Sequence, residues 1–89
     1  MDQESRTDTR KRTLKAGRIV YDRLSRVFDC TIRNASETGA LLLVPSTTGI
    51  PSEFLLYVDS DRKRQPAEVI WRQDDRMGVR FTGPAESTA

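Results

Sequence analysis

Two clusters of residues in this chain have the types and spacing to hold an anion. Arg6-Thr7-Asp8-Thr9-Arg10 sets two arginines four residues apart, with Lys11 and Arg12 directly behind them. Asn34-Ala35-Ser36-Glu37-Thr38-Gly39 brings an amide, a hydroxyl and a glycine into one short stretch. A guanidinium forms bidentate hydrogen bonds to phosphate and to the acceptor edge of guanine, which lysine does not. An Asn amide and a Ser hydroxyl add directional hydrogen bonds, and Gly admits a close approach to the backbone. Either cluster alone is common. Their order is more informative, because a basic arm precedes the first strand and a polar turn follows one hairpin later. In a barrel that turn can face the place where the arm joins. Such an arrangement suits an anionic, guanine-bearing ligand.

Catalytic and metal chemistry have little to draw on. The chain has no histidine and a single cysteine, Cys30. That removes the usual general base and the usual metal ligand, as well as the Ser-His and Cys-His nucleophile pairs. Asp74 and Asp75 are adjacent but fall in a turn, where carboxylates are normally solvated. The expectation is a protein that is not an enzyme and carries no cofactor. Cys30 reads as a small buried hydrophobe.

The charge is uneven. Fifteen Lys and Arg stand against 13 Asp and Glu, for a net charge of +2. Six of the basic residues and three of the acidic ones lie between Met1 and Arg18, so the positive excess is all N-terminal. Arginine outnumbers lysine twelve to three. A barrel binding RNA or single-stranded DNA would present exposed aromatics for base stacking. This chain has six aromatics, most on core-facing positions, so nucleic acid is not the expected partner. No apolar run approaches the ~20 residues that span a bilayer, and the N-terminus has no hydrophobic signal region. The reading is a cytoplasmic protein without membrane insertion.

The elements that would position these residues are strands. Residues 1–13 lack apolar periodicity and read as a flexible arginine-rich arm. From residue 14 to 82, short alternating runs are separated by turn residues, the pattern of an antiparallel β protein. Expected strands are Lys15–Tyr21, Val27–Arg33, Ala40–Val44, Phe54–Val58, Ala67–Arg72 and Met77–Phe81. On the second, Phe28, Cys30 and Ile32 share one face. Ala40–Val44 is almost wholly apolar and reads as buried on both faces. Pro45–Glu53 is a loop, Asp59–Gln65 a charged turn, and residues 83–89 a short polar tail. Trp71 falls in phase with Val69 and reads as a core or barrel-surface aromatic rather than a stacking residue. Arg72 and Arg80, on neighbouring strands, are secondary candidates for the site. Six strands with no helix imply a small barrel or sandwich.

These features resemble the PilZ domains, bacterial receptors for cyclic di-GMP. The likeness rests on R-x-x-x-R before the first strand (Arg6, Arg10) and N-x-S-x-x-G after the second (Asn34, Ser36, Gly39). It continues through Val69-Ile70-Trp71-Arg72 and Gly78-Val79-Arg80-Phe81, and so covers residues 6 to 82. The resemblance implies a six-stranded antiparallel β-barrel. It further implies that Arg6 and Arg10 clamp phosphate and guanine, that Asn34, Ser36 and Gly39 hold the other face of the ligand, and that Lys11 and Arg12 are additional contacts. A register pairing Asp8 with Arg12 would lack the first arginine. The implied function is a cyclic di-GMP-binding sensor or adaptor whose arm orders on binding and signals to a protein partner. The alternative is a degenerate PilZ domain, in which Thr7-Asp8-Thr9 marks loss of nucleotide binding and only protein–protein contact remains.

Overall fold

The computed structural model describes residues 14–21, Arg23 and residues 25–88, and every regular element among them is a strand. These are β1 (Leu14–Tyr21), β2 (Arg26–Arg33), β3 (Gly39–Leu43), β4 (Glu53–Val58), β5 (Lys63–Arg72), β6 (Arg76–Phe81) and β7 (Glu86–Ser87). The first six close into an antiparallel barrel in the order β4-β1-β2-β3-β6-β5, with β5 pairing back to β4. Closure leaves few free edges in a chain this short. None of the described residues forms a helix long and apolar enough to cross a membrane.

The period-2 alternation of the strands sends one residue in two to the interior. Ile19, Cys30, Ile32, Leu42, Leu56 and Met77 fill the centre, and Phe54, Val58, Ala67 and Val79 pack around them. Phe28 leans on this core from β2, edge-on to Tyr21 with ring centroids 5.8 Å apart. Side-chain hydrogen bonds help to tie down the long loop after β3. Arg72 donates from Nη1 to the carbonyls of Thr47 (3.1 Å) and Ile50 (2.8 Å). Thr47 Oγ1 donates to the Gln73 carbonyl at 2.7 Å. Tyr21 Oη reaches the Gly49 carbonyl at 3.2 Å.

Three local expectations change. β3 is not buried on both faces: Leu42 is fully buried, while Leu41 and Leu43 are only half-buried. A single closed sheet has one interior, and among the described residues no second layer covers its outside. β5 begins at Lys63 rather than Ala67, because Lys63–Pro66 pair with Val58–Leu55 of β4. Pro66 is tolerated there since its other flank falls between the stretches paired with β7 and β6, where only its carbonyl is used, by Thr82 N–H at 3.0 Å. Finally, the polar tail contributes β7, which pairs with Lys63 and Arg64 outside the ring. The Arg64–Glu86 ion pair holds it.

Burial pushes the Cys30 thiol up from 9.0 to about 12, with the charges of Asp29 and Asp59 adding to the shift. The thiolate is thus disfavoured in the folded chain more than in the unfolded one. Its contribution to stability is complete below pH 9 and is lost as pH rises toward about 12. Urea unfolding followed between pH 8 and 12 should show a falling midpoint, and Cys30→Ala should flatten part of that fall. A variant as alkali-sensitive as the parent would show that the thiol does not titrate with unfolding.

Candidate functional site

The expected site has two halves, and they stand differently. Arg6, Arg10, Lys11 and Arg12 lie outside the described residues. Asn34, Ser36 and Gly39 are described, and all three line one cleft of about 720 Å³ on the outer wall of the barrel.

The cleft follows from strand register. Leu14 pairs with Arg33, Arg33 with Leu41, Leu41 with Gly78 and Gly78 with Trp71. Directly paired residues point to the same side of a sheet. The row therefore crosses five strands on the outer face, while the neighbouring row, Ile32–Leu42–Met77, fills the core. Arg33, Asn34, Ser36 and Thr38 form the polar side of the cleft, and Leu41, Ile70 and Trp71 the apolar side. Among the described residues, Arg33 is the one charged side chain in its lining.

Trp71 reaches this face through a bulge. Val69 pairs with Val79, but the register then slips so that Trp71, not Ile70, faces Gly78. The extra residue reverses the phase of the strand beyond it. Ile70 and Trp71 are both exposed, at 58% and 44%, and Arg72 turns to face Met77. The phase relation between Val69 and Trp71 is thus broken, and Trp71 is a surface aromatic beside the polar turn. Arg72 is engaged with the loop carbonyls and Arg80 with Glu68, so neither is free to extend the cleft.

The turn is held by its own serine. Ser36 Oγ accepts from the amides of Thr38 (3.2 Å) and Gly39 (3.3 Å), and Ser36 N–H donates to the Gly39 carbonyl at 2.8 Å. Asn34, not Gly39, takes the left-handed conformation, with φ 53°. Asn accepts that region more readily than most residues. Gly39 is needed for a different reason: a Cβ there would overlap the Val79 carbonyl oxygen of β6. The close approach that requires this glycine is strand to strand.

At Gly78 an added Cβ would overlap only the indole of Trp71, packed across it. Gly78→Ala should therefore leave the barrel folded, at about 1 kcal/mol, while displacing the ring. A changed emission spectrum of this single tryptophan, with cooperative unfolding retained, is the expected result. An unaltered spectrum would show that the ring does not rest on Gly78.

A second cavity, of about 480 Å³, opens at one end of the barrel over Ile32, Leu56 and Val58. Its rim carries Glu37 and Asp61 as well as Lys15 and Lys63. The Lys15 ammonium hydrogen-bonds Asp61 at 2.7 Å and holds its carboxyl below the usual range. With carboxylates on its rim, this cavity suits an anionic ligand less well than the outer cleft.

Fold and site together define a small, closed, six-stranded barrel with a cleft of cationic and aromatic lining on its outer wall. The sequence pattern of the PilZ domain matches residues 4–89, and the chain belongs to that family. No curated protein matches it. PilZ domains are in general cyclic di-GMP-binding and adaptor modules rather than enzymes.

Proposed function

We propose that this chain is a cytoplasmic cyclic di-GMP sensor that catalyses nothing and passes its signal to a protein partner. One observation carries the reading. β1 starts at Leu14, the register partner of Arg33, so residues 1–13 join the barrel directly beside the Asn34–Gly39 turn. Paired Cα atoms lie about 5 Å apart, and the four residues from Arg10 to Leu14 span at most about 14 Å. The Arg10 guanidinium is thus within reach of a ligand in the cleft. Arg6 is farther along the same arm, with Lys11 and Arg12 nearer the barrel.

In this reading Arg6 and Arg10 pair with phosphates and a guanine edge, and Arg33 adds charge from the barrel wall. Asn34 offers its amide to the ligand. Ser36 and Gly39 act chiefly by shaping the turn, since the hydroxyl is engaged by backbone amides and the glycine by β6. Trp71 supplies a flat apolar surface for a base. Ordering of the arm on the ligand changes the surface offered to a partner.

A calorimetric titration with cyclic di-GMP, with GTP and cyclic AMP as controls and Trp71 emission followed in parallel, tests this. Selective binding with altered emission is expected, weakened roughly tenfold or more in Trp71→Ala by loss of one base stack. No heat and no change in emission from the folded protein would favour the degenerate, partner-binding alternative.

A further inference from the structure

β2 is paired along its whole length on one side only. All eight of its residues face β1, but β3 pairs only with Thr31, Ile32 and Arg33. Beyond Leu43 the chain turns away toward the β5–β6 turn: Val44 N–H donates to the Asp75 carbonyl at 3.0 Å and Thr47 N–H to that of Asp74 at 2.9 Å. Among the described residues, nothing pairs with the far edge of Arg26–Asp29. Alternate residues of a strand turn their N–H and C=O to the same edge. Two of these four residues therefore present there a donor and an acceptor that no described residue pairs.

The side chains around this edge define what would fit it. Val27 points outward and is 50% exposed. Asp29, also outward, has no ion-pair partner among the described residues, because Arg18 opposite it is bonded to Asp59 at 2.7 Å. A cleft of about 340 Å³ separates β2 from the departing chain, lined mainly by Cys30, Leu43, Val44 and Pro45. Unpaired backbone groups call for an extended strand, the cleft for an apolar side chain, and Asp29 for a basic one.

We propose that the Arg26–Asp29 edge docks an extended segment of a partner protein, added beside β2 with an apolar residue in the cleft and a Lys or Arg against Asp29. A second copy of this chain fits poorly. Antiparallel self-pairing that keeps inner and outer faces aligned must centre on a residue. Centred on Val27 it sets Arg26 against Phe28, centred on Phe28 it sets Val27 against Asp29, and centred on Arg26 or Asp29 it opposes two like charges. Each register places a charge against an apolar residue or a like charge. The edge lies at the opposite end of β2 from Arg33, and the proposal does not rest on the ligand reading.

The probes are three capped heptapeptides, Thr-Val-Lys-Val-Thr-Val-Lys, its Lys→Glu counterpart, and a version with the central Val replaced by Pro. Each is titrated to millimolar concentration into the labelled protein and followed by amide shifts and hydrogen exchange. In the free protein, alternate amides of Arg26–Asp29 should exchange fast. The lysine peptide should slow them and shift the signals of Arg26–Cys30 and Val44. The glutamate peptide should bind about fivefold more weakly and the proline peptide not detectably. Asp29→Lys, an exposed change, should invert the charge preference. Shifts elsewhere, no shifts with any peptide, or an unchanged preference in Asp29→Lys would overturn the proposal. So would a dimer in sedimentation that protects the same amides, since it would assign the edge to a second copy.

Discussion

Replacing Gly39 with alanine is expected to lower the melting temperature by roughly 15 °C. The new Cβ would overlap the Val79 carbonyl oxygen, which belongs to backbone and cannot rotate away. Relief requires β3 and β6 to separate along Gly39–Leu43 and Arg76–Arg80, one of the ladders that close the ring. A cost of about 3 kcal/mol is the upper range for overpacking and a large share of the stability of so small a domain. Gly49→Ala is the control. Gly49 has φ 85° and nothing within 4 Å of an added Cβ, so it meets only the left-handed backbone cost of about 1 kcal/mol. Equal melting temperatures for the two variants would sink the argument that β3–β6 contact selects this glycine.

The second large effect concerns affinity. Arg10→Ala should weaken cyclic di-GMP binding by about a hundredfold or more, leaving thermal unfolding unchanged. Charge-assisted hydrogen bonds contribute about 1.5–3 kcal/mol each, and a bidentate pair lies at the upper end. Arg10→Lys should recover only part of the loss, because an ammonium keeps the charge but not the planar fork. Raising the salt concentration should weaken the parent more than Arg10→Ala. Arg12→Ala separates the two possible registers. Undiminished affinity in Arg10→Ala together with loss in Arg12→Ala would move the clamp to the Asp8/Arg12 frame.

Much of the barrel is legible in the sequence because its strands obey one rule and its turns another. Phe54, Leu56 and Val58 alternate inward as their spacing requires, and Asn34–Thr38 turns where its side chains can bond local amides. Legibility fails where pairing overrides local chemistry. Lys63 and Arg64 look like turn residues, yet they extend β5 because β4 and β7 bracket them, one on each side. Leu41 and Leu43 look buried because they are leucines, but a closed sheet leaves alternate residues outside. At the candidate site, type and spacing mark Asn34, Ser36 and Gly39, although the physical reason for Gly39 lies on a strand distant in sequence. Simple alternation puts Trp71 in the wrong phase, since a bulge leaves no mark on the pattern. The packing of its indole on a glycine across the ladder becomes visible only in three dimensions.

The outer row from Leu14 to Trp71 runs perpendicular to the strands rather than along them. A ligand laid along it would act as a cross-brace. Register between neighbouring strands is already fixed by their ladder bonds and by the buried inner face, and a transverse tie adds a contact at every strand it crosses. Occupancy of the cleft would therefore link strands distant in sequence, so that binding beside the Asn34–Gly39 turn reaches β5 as well as β2.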